Sequence, residues 1–195
     1  MEMTRLRLKG LEKEWSMRNR LLISILFFFS LLFGTNVSGV ISSNTTWSIS
    51  SSPYIVTGSI IVNEGVTLTI EGGSEVKFNA GNSILVNGEL IAIGTEGNEI
   101  TFTSNESSPA SGDWGHLKFF ESSTEASFDV DGNYISGSIF QYAIIEYGDG
   151  IYFDGATPYI DNCIIRNHST HGIHLGTWFN STNPMKVTNS TISNN

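Results

Sequence analysis

The sequence predicts an all-β fold: a right-handed parallel β-helix, a single-stranded solenoid with three short strands per turn. Three observations predict it. Residues 59–78 and 83–102 superpose at an offset of 24, with seven of twenty positions identical. Within each repeat the apolar residues come as short alternating pairs, set apart by Asn, Gly and Glu, which is the period of a strand with one buried face. A second repeat follows, in which Tyr142–Tyr147 aligns with Asn162–Asn167 and Asn189–Asn194 at spacings of 20 and 27. A fixed register in the low twenties fits stacked coils rather than hairpins. Right-handed coiling is expected from the chirality of parallel crossovers.

The elements follow in chain order. Six of the ten basic residues (Arg5, Arg7, Lys9, Lys13, Arg18 and Arg20) precede an apolar run from Leu21 to Phe33. A basic stretch, a short apolar run and then small residues read as a secretory signal peptide, residues 1–39, with cleavage expected near Gly39. An alternative start at Met17 gives a more usual basic region. These thirteen residues, all but Ser24 and Ser30 apolar, fall short of the roughly 20 that span a bilayer, so membrane contact is expected only through this segment, if it stays uncleaved. Residues 40–104 are expected to form the N-terminal turns. Ile60 is placed over Ile84, Val62 over Val86, Val66 over Leu90, Leu68 over Ala92, Val76 over Ile100 and Phe78 over Phe102. Residues 105–137 break the pattern and are expected to hold one strand, Asp113–Phe119, between projecting polar loops. Residues 138–195 resume the repeat, with Gly150–Phe153 matching Gly172–Leu175. The last repeat stops at Asn195, so a C-terminally incomplete solenoid is expected, with self-association through its open turn. About seven turns are expected, and repeated asparagines such as Asn63/Asn87 and Asn162/Asn189 are expected to bond to one another.

Charge narrows the partners. Residues 21–195 hold four basic and sixteen acidic residues, a formal charge of −12 against −9 for the whole chain. That argues against nucleic acid as a partner. The single cysteine, Cys163, excludes a disulfide framework. It is expected to be a small buried residue of the stack, equivalent to Ala143 and Ser190.

The stretches Thr67–Glu71, Val76–Phe78, Gly94–Thr95, Ile100–Ser104 and Gly112-Asp113-Trp114-Gly115 occur in this order in exported right-handed parallel β-helix proteins of bacteria and archaea. The Asn-x-x-Ile-x-Asn and Gly-Ile-x-Leu units resemble repeats of carbohydrate-binding proteins and sugar hydrolases. The resemblance is to a pectate-lyase-like fold and covers about residues 47–195. It implies a secreted or cell-surface protein with a polysaccharide or envelope glycan as partner. Fold alone does not assign the chemistry. The expected function is a non-catalytic binding or scaffold module. A polysaccharide lyase or glycoside hydrolase is the alternative, and a self-associating surface-array component a third.

Polysaccharide lyases of this fold use calcium-binding carboxylates and a proton-abstracting base. A catalytic site of that kind would draw on Arg166 with Asp149, Asp154 and Asp161. Asp129, Asp131 and Asn133 resemble a calcium loop, although its glycine and twelfth residue depart from the helix-loop-helix template. No other cofactor is expected. Tyr147, Tyr152 and Trp178 are candidates for stacking on sugar rings. His168, His171 and His174 lack a placed carboxylate and are expected to be solvated turn residues rather than metal ligands.

Overall fold

The computed structural model describes residues 34–176 and 185–195. The expected signal segment lies outside them except for its last positions, and so does Trp178. Strand β1 (Thr35–Ile41) crosses the position at which cleavage is expected. It pairs in parallel with the strand of the next turn, Thr35 on Tyr54 and Ile41 on Val62.

The chain then coils. The first turn is β2 (Thr45–Trp47) and β3 (Tyr54–Val62); the second is β4 (Thr67–Glu71), β5 (Glu75–Phe78) and β6 (Ile84–Val86). The third is β7 (Glu89–Ile93), β8 (Ile100–Ser104) and β9 (His116–Phe120). An antiparallel hairpin, β10 (Ser127–Phe128) and β11 (Tyr134–Ser136), projects before the fourth turn. That turn is β12 (Ile139–Gln141), β13 (Ala143–Glu146) and β14 (Gly150–Asp154). The fifth is β15 (Tyr159–Asp161), β16 (Ile164–Arg166) and β17 (Ile173–Leu175), after which β18 (Val187–Thr188) and β19 (Thr191–Ser193) begin a sixth.

Three parallel faces result. The first is β2-β4-β7-β12-β15-β18. The second runs from the start of β3 through β5, β8, β13, β16 and β19, and the third from the end of β3 through β6, β9, β14 and β17. The chain is a parallel β-helix. Five triangular turns are present among the described residues rather than about seven, because residues 105–115 and 121–138 leave the coil and consume length.

Inward residues stack in columns. Val62, Val86, Phe119 and Phe153 pair successively on the third face. Tyr54, Val76, Phe102, Ile145 and Ile165 do so on the second. All of these are buried. Each apolar square ångström removed from water contributes about 25 cal/mol, so these columns are the main source of stability. Trp114 is fully buried between turns, its ring stacked on Phe78 at 4.1 Å. Its indole nitrogen donates to the Glu146 carbonyl at 2.9 Å.

The uniform offset of 24 is corrected. Ile60 does pair with Ile84, but Leu68 pairs with Leu90 rather than Ala92, at an offset of 22. Val76 pairs with Phe102 rather than Ile100, at 26. The corner Asn87–Gly88 is two residues shorter than Asn63–Val66, and the next corner is four residues longer than its predecessor. Both departures from 24 are two residues, an even number, so the alternation survived while the partners shifted. The 20 and 27 spacings of the second repeat hold, Ile144 on Ile164 and Ile164 on Thr191.

The Asn-x-x-Ile-x-Asn unit has a backbone cause. Asn162, Asn167, Asn189 and Asn194, with Tyr142 and Tyr147, all have φ between 49° and 67°. Each unit is a short strand bracketed by two left-handed corners, a conformation asparagine tolerates better than other side chains. The expected asparagine ladders are replaced. Asn162 and Asn189 both donate to Asp161, at 2.8 and 3.0 Å, while the side-chain pair that forms is Asn105 on Asn79 at 2.9 Å.

Candidate functional site

The carboxylates and arginine of a catalytic reading lie at the ends of different strands. Asp161 ends a strand of the first face, Arg166 one of the second, and Asp154 one of the third; Asp149 sits at the corner before β14. Each is engaged. Asp161 is buried, and its two oxygens divide four donors. Thr188 and Asn189 bind one oxygen at 2.6 and 3.0 Å; Gln141 and Asn162 bind the other at 2.9 and 2.8 Å. Burial pushes this carboxyl up, but the four bonds outweigh it and hold it below the ordinary 3.8. Arg166 pairs with Glu146 at 2.8 Å, and Glu146 also accepts from Thr103 at 3.1 Å. Asp154 pairs with Lys118 at 2.9 Å. Asp149 accepts the Ser169 hydroxyl at 2.5 Å.

The histidines separate. His168 is buried rather than solvated: it lies edge-on to Trp114 at 6.3 Å, and its Nε2 meets the Ile145 carbonyl at 3.1 Å. Burial pushes its pKa below 6.5. His171 and His174 stay together, ring centres 5.2 Å apart. No cluster of three or more His, Cys, Asp or Glu suited to a metal occurs among the described residues. Cys163 is buried as expected, and burial pushes its thiol up to about 11.

The Asp129 carboxylate is engaged within its own loop. One Asp129 oxygen accepts the backbone N–H groups of Asp131 and Asn133 at 3.0 and 2.7 Å, and the other the Asn133 amide at 2.9 Å. The Lys186 ammonium donates to the Gly132 carbonyl. The Lys186 charge at Gly132 opposes a dication there.

An outward strip on the third face is what the fold assembles. Tyr152 pairs with Lys118 on one side and His174 on the other. His116, Tyr152 and His174 form a ladder of rings, with centres 4.9 and 4.8 Å apart. Burial, then the charge of Lys118, lowers the His116 pKa, against an opposing pull from Asp149. The Lys118 ammonium lies 4.8 Å from the Phe120 ring centre. An open groove of about 590 Å³ at the end of this strip is lined by Phe120, Glu121, Ser122 and Asp154. Such a strip presents ring edges and hydrogen-bonding groups at one-turn intervals. Tyr152 belongs to it; Tyr147 sits at the preceding corner, where its carbonyl accepts from Asp113 at 3.0 Å.

Sequence reasoning missed His116, Phe120 and the partnership of Tyr152 with His174. The alignment of Gly150–Phe153 with Gly172–Leu175 already placed Tyr152 over His174. Adding His116 required the register of β9, which the loop at 105–115 hides.

A family model for pectate-lyase-like β-helix domains matches residues 39–147. No curated protein and no solved structure matches the chain. The match covers more than half of the 195 residues and spans β2 to β13, which outside the β10–β11 hairpin pair in the parallel register of a coil. The chain belongs to the pectate-lyase-like β-helix domain family.

Proposed function

We propose that this chain is an exported β-helix module, secreted or surface-held, that binds glycans or other envelope components without cleaving them. The ladder His116–Tyr152–His174, with the groove at its end, carries the reading. Aromatic groups with a polar handle suit sugars, which offer an apolar ring face beside hydroxyls. A polymer whose repeat is close to the turn spacing can meet one ring per turn.

Charge favours a neutral glycan over an acidic one. The four basic residues beyond the leader are all engaged: Lys77 with Glu75 at 3.2 Å, Lys118 with Asp154, Arg166 with Glu146, and Lys186 with Gly132. A lyase acting on polyuronates needs cationic groups for the substrate carboxylates and a free base. Here three of the four cations are paired with acids and the fourth donates to a carbonyl.

The test is to incubate the purified protein with neutral and acidic polysaccharides, with and without calcium. Binding without new ends is the expected result, weakened at least tenfold by Tyr152→Ala. New reducing ends or unsaturated uronates would overturn the proposal in favour of a hydrolase or lyase, whose acids would be sought first at Glu121 and Asp154 in the groove.

A further inference from the structure

Three aromatic rings meet where the hairpin lies against the coil. Phe128 and Tyr134 come from the hairpin, and Tyr159 from β15. Phe128 lies edge-on to Tyr159 at 5.3 Å and to Tyr134 at 6.5 Å, and Tyr134 stacks on Tyr159 at 6.0 Å. The Lys186 ammonium faces two of them, 4.5 Å from the Phe128 ring centre and 5.4 Å from that of Tyr159. It also donates to the Gly132 carbonyl. Ring faces and a carbonyl around an ammonium make an aromatic cage.

The cage is held in place. The Tyr134 hydroxyl donates to the Gly137 carbonyl at 2.6 Å, and the Tyr159 hydroxyl is 2.8 Å from that of Thr188. Asp129 ties down the loop that carries Gly132 through its bonds to Asp131 and Asn133. The surroundings are acidic: Asp129 and Asp131 lie on the loop, and burial with the charge of Glu89 pushes Tyr134 up to about 12.

We propose that this cage is a recognition site for a primary ammonium, occupied by the chain's own Lys186, and that its external ligand is the ammonium of a de-N-acetylated amino sugar within a glycan. The ligand class follows from the walls. Gly132 offers an acceptor, which selects an ammonium bearing N–H over a quaternary one. The rings offer faces on which a sugar can pack beside its charge. The −12 charge of residues 21–195 attracts a cationic polymer. Lys186 is then a tethered competitor, and its local concentration weakens an external ligand without any change in the cage. The sugar part rests on the glycan-binding proposal; the ammonium part does not.

Two measurements on the full chain test this. In the wild type, the Lys186 ε-methylene protons should resonate upfield of other lysines under the Phe128 and Tyr159 ring currents, and n-butylammonium should move them back. Unshifted protons would overturn the cage, whatever happens to any variant. Lys186→Met keeps the stem and removes the charge. It should bind n-butylammonium at least tenfold more tightly than the wild type does, and more tightly than it binds tetramethylammonium; equal affinity of the two proteins would overturn the competition. The same variant should prefer a glucosamine oligosaccharide over its N-acetylated counterpart by at least tenfold. Equal binding of both oligosaccharides overturns the ammonium assignment and leaves glycan binding standing. Binding of n-butylammonium with no binding of either oligosaccharide overturns the sugar assignment alone.

Discussion

Replacing Asp161 by asparagine separates a structural carboxylate from a catalytic one. The side chain is 6% exposed, so solvent screens its bonds little. Each oxygen accepts two donors, and the donors come from β12, from the corner after β15, and from β18 and the residue following it. Asparagine keeps one acceptor oxygen and turns the other into a donor that faces donors. Two charge-assisted bonds, worth about 1.5–3 kcal/mol each, are lost, and a flip of the Gln141 amide recovers part of that. The expected loss is about 2–3 kcal/mol at pH 7, a fall in midpoint of roughly 5–10 °C for a chain of this size. The carboxyl's native pKa lies below its ordinary value. Its stabilisation is therefore complete above pH 3.8 and disappears as pH falls through the lowered native value. Wild type and Asp161→Asn should thus converge in urea unfolding at the acid end, because a protonated carboxyl presents the same donor conflict as an amide. Equal stability at pH 7, or a gap that persists unchanged into acid, would refute the reasoning.

Stability should also depend on pH nearer neutrality. His168 is buried with its pKa lowered, so the unfolded chain takes up protons first, and stability present above pH 6.5 is lost as pH falls below it. Unfolding midpoints from pH 7.5 to 5 should show that slope, and His168→Phe should reduce it, with His116 supplying a remainder of the same sign. Two glycines with positive φ distinguish conformation from crowding. At Gly65 (φ 72°) an added Cβ meets nothing within 4 Å, whereas at Gly150 (φ 120°) it falls 1.9 Å from the His171 carbonyl. Gly65→Ala should cost about 1 kcal/mol and Gly150→Ala more than 3 kcal/mol in denaturant titrations; similar losses would contradict the packing of β14 against β17. Because Asp129 is engaged within its own loop and the Lys186 charge lies at Gly132, a chelator should leave the thermal midpoint unchanged, and a clear fall on chelation would show a structural calcium.

The interior was legible because stacking leaves it little freedom. Each inward position meets its equivalent one turn away, so the apolar pairs of residues 59–102 declared a coil even where the offset misplaced individual partners by two residues. The asparagine unit was legible because its corners need left-handed backbone. What the repeat could not show was set by insertions. The loop before β9 breaks the register, so His116 and Lys118 could not be aligned with Tyr152. The hairpin has no equivalent in other turns, so nothing linked Phe128, Tyr134 and Tyr159 with Lys186, which lies 27 residues beyond the last of those rings. The buried state of His168 was hidden too, because its neighbour Trp114 enters from that same irregular stretch.

The same division bears on ligand choice. A coil makes its outward faces alike from turn to turn, so a binding surface must come from residues that interrupt the likeness. The hairpin cage is one such interruption and the ring ladder takes His116 from beyond another, and both put aromatic rings beside a cation already matched by acceptors or acids. An acidic polymer approaching either one meets the −12 charge of residues 21–195, acting over roughly 8 Å at physiological salt. It can gain no unpaired cation without breaking an existing pair. A neutral sugar has no such cost, and an amine-bearing sugar gains from the field. Affinity that rises from N-acetylated to free-amine glycans and weakens with salt is the signature this surface should give. Affinity for polyuronates that rises as acid protonates His116 would instead assign the ladder to anionic glycans.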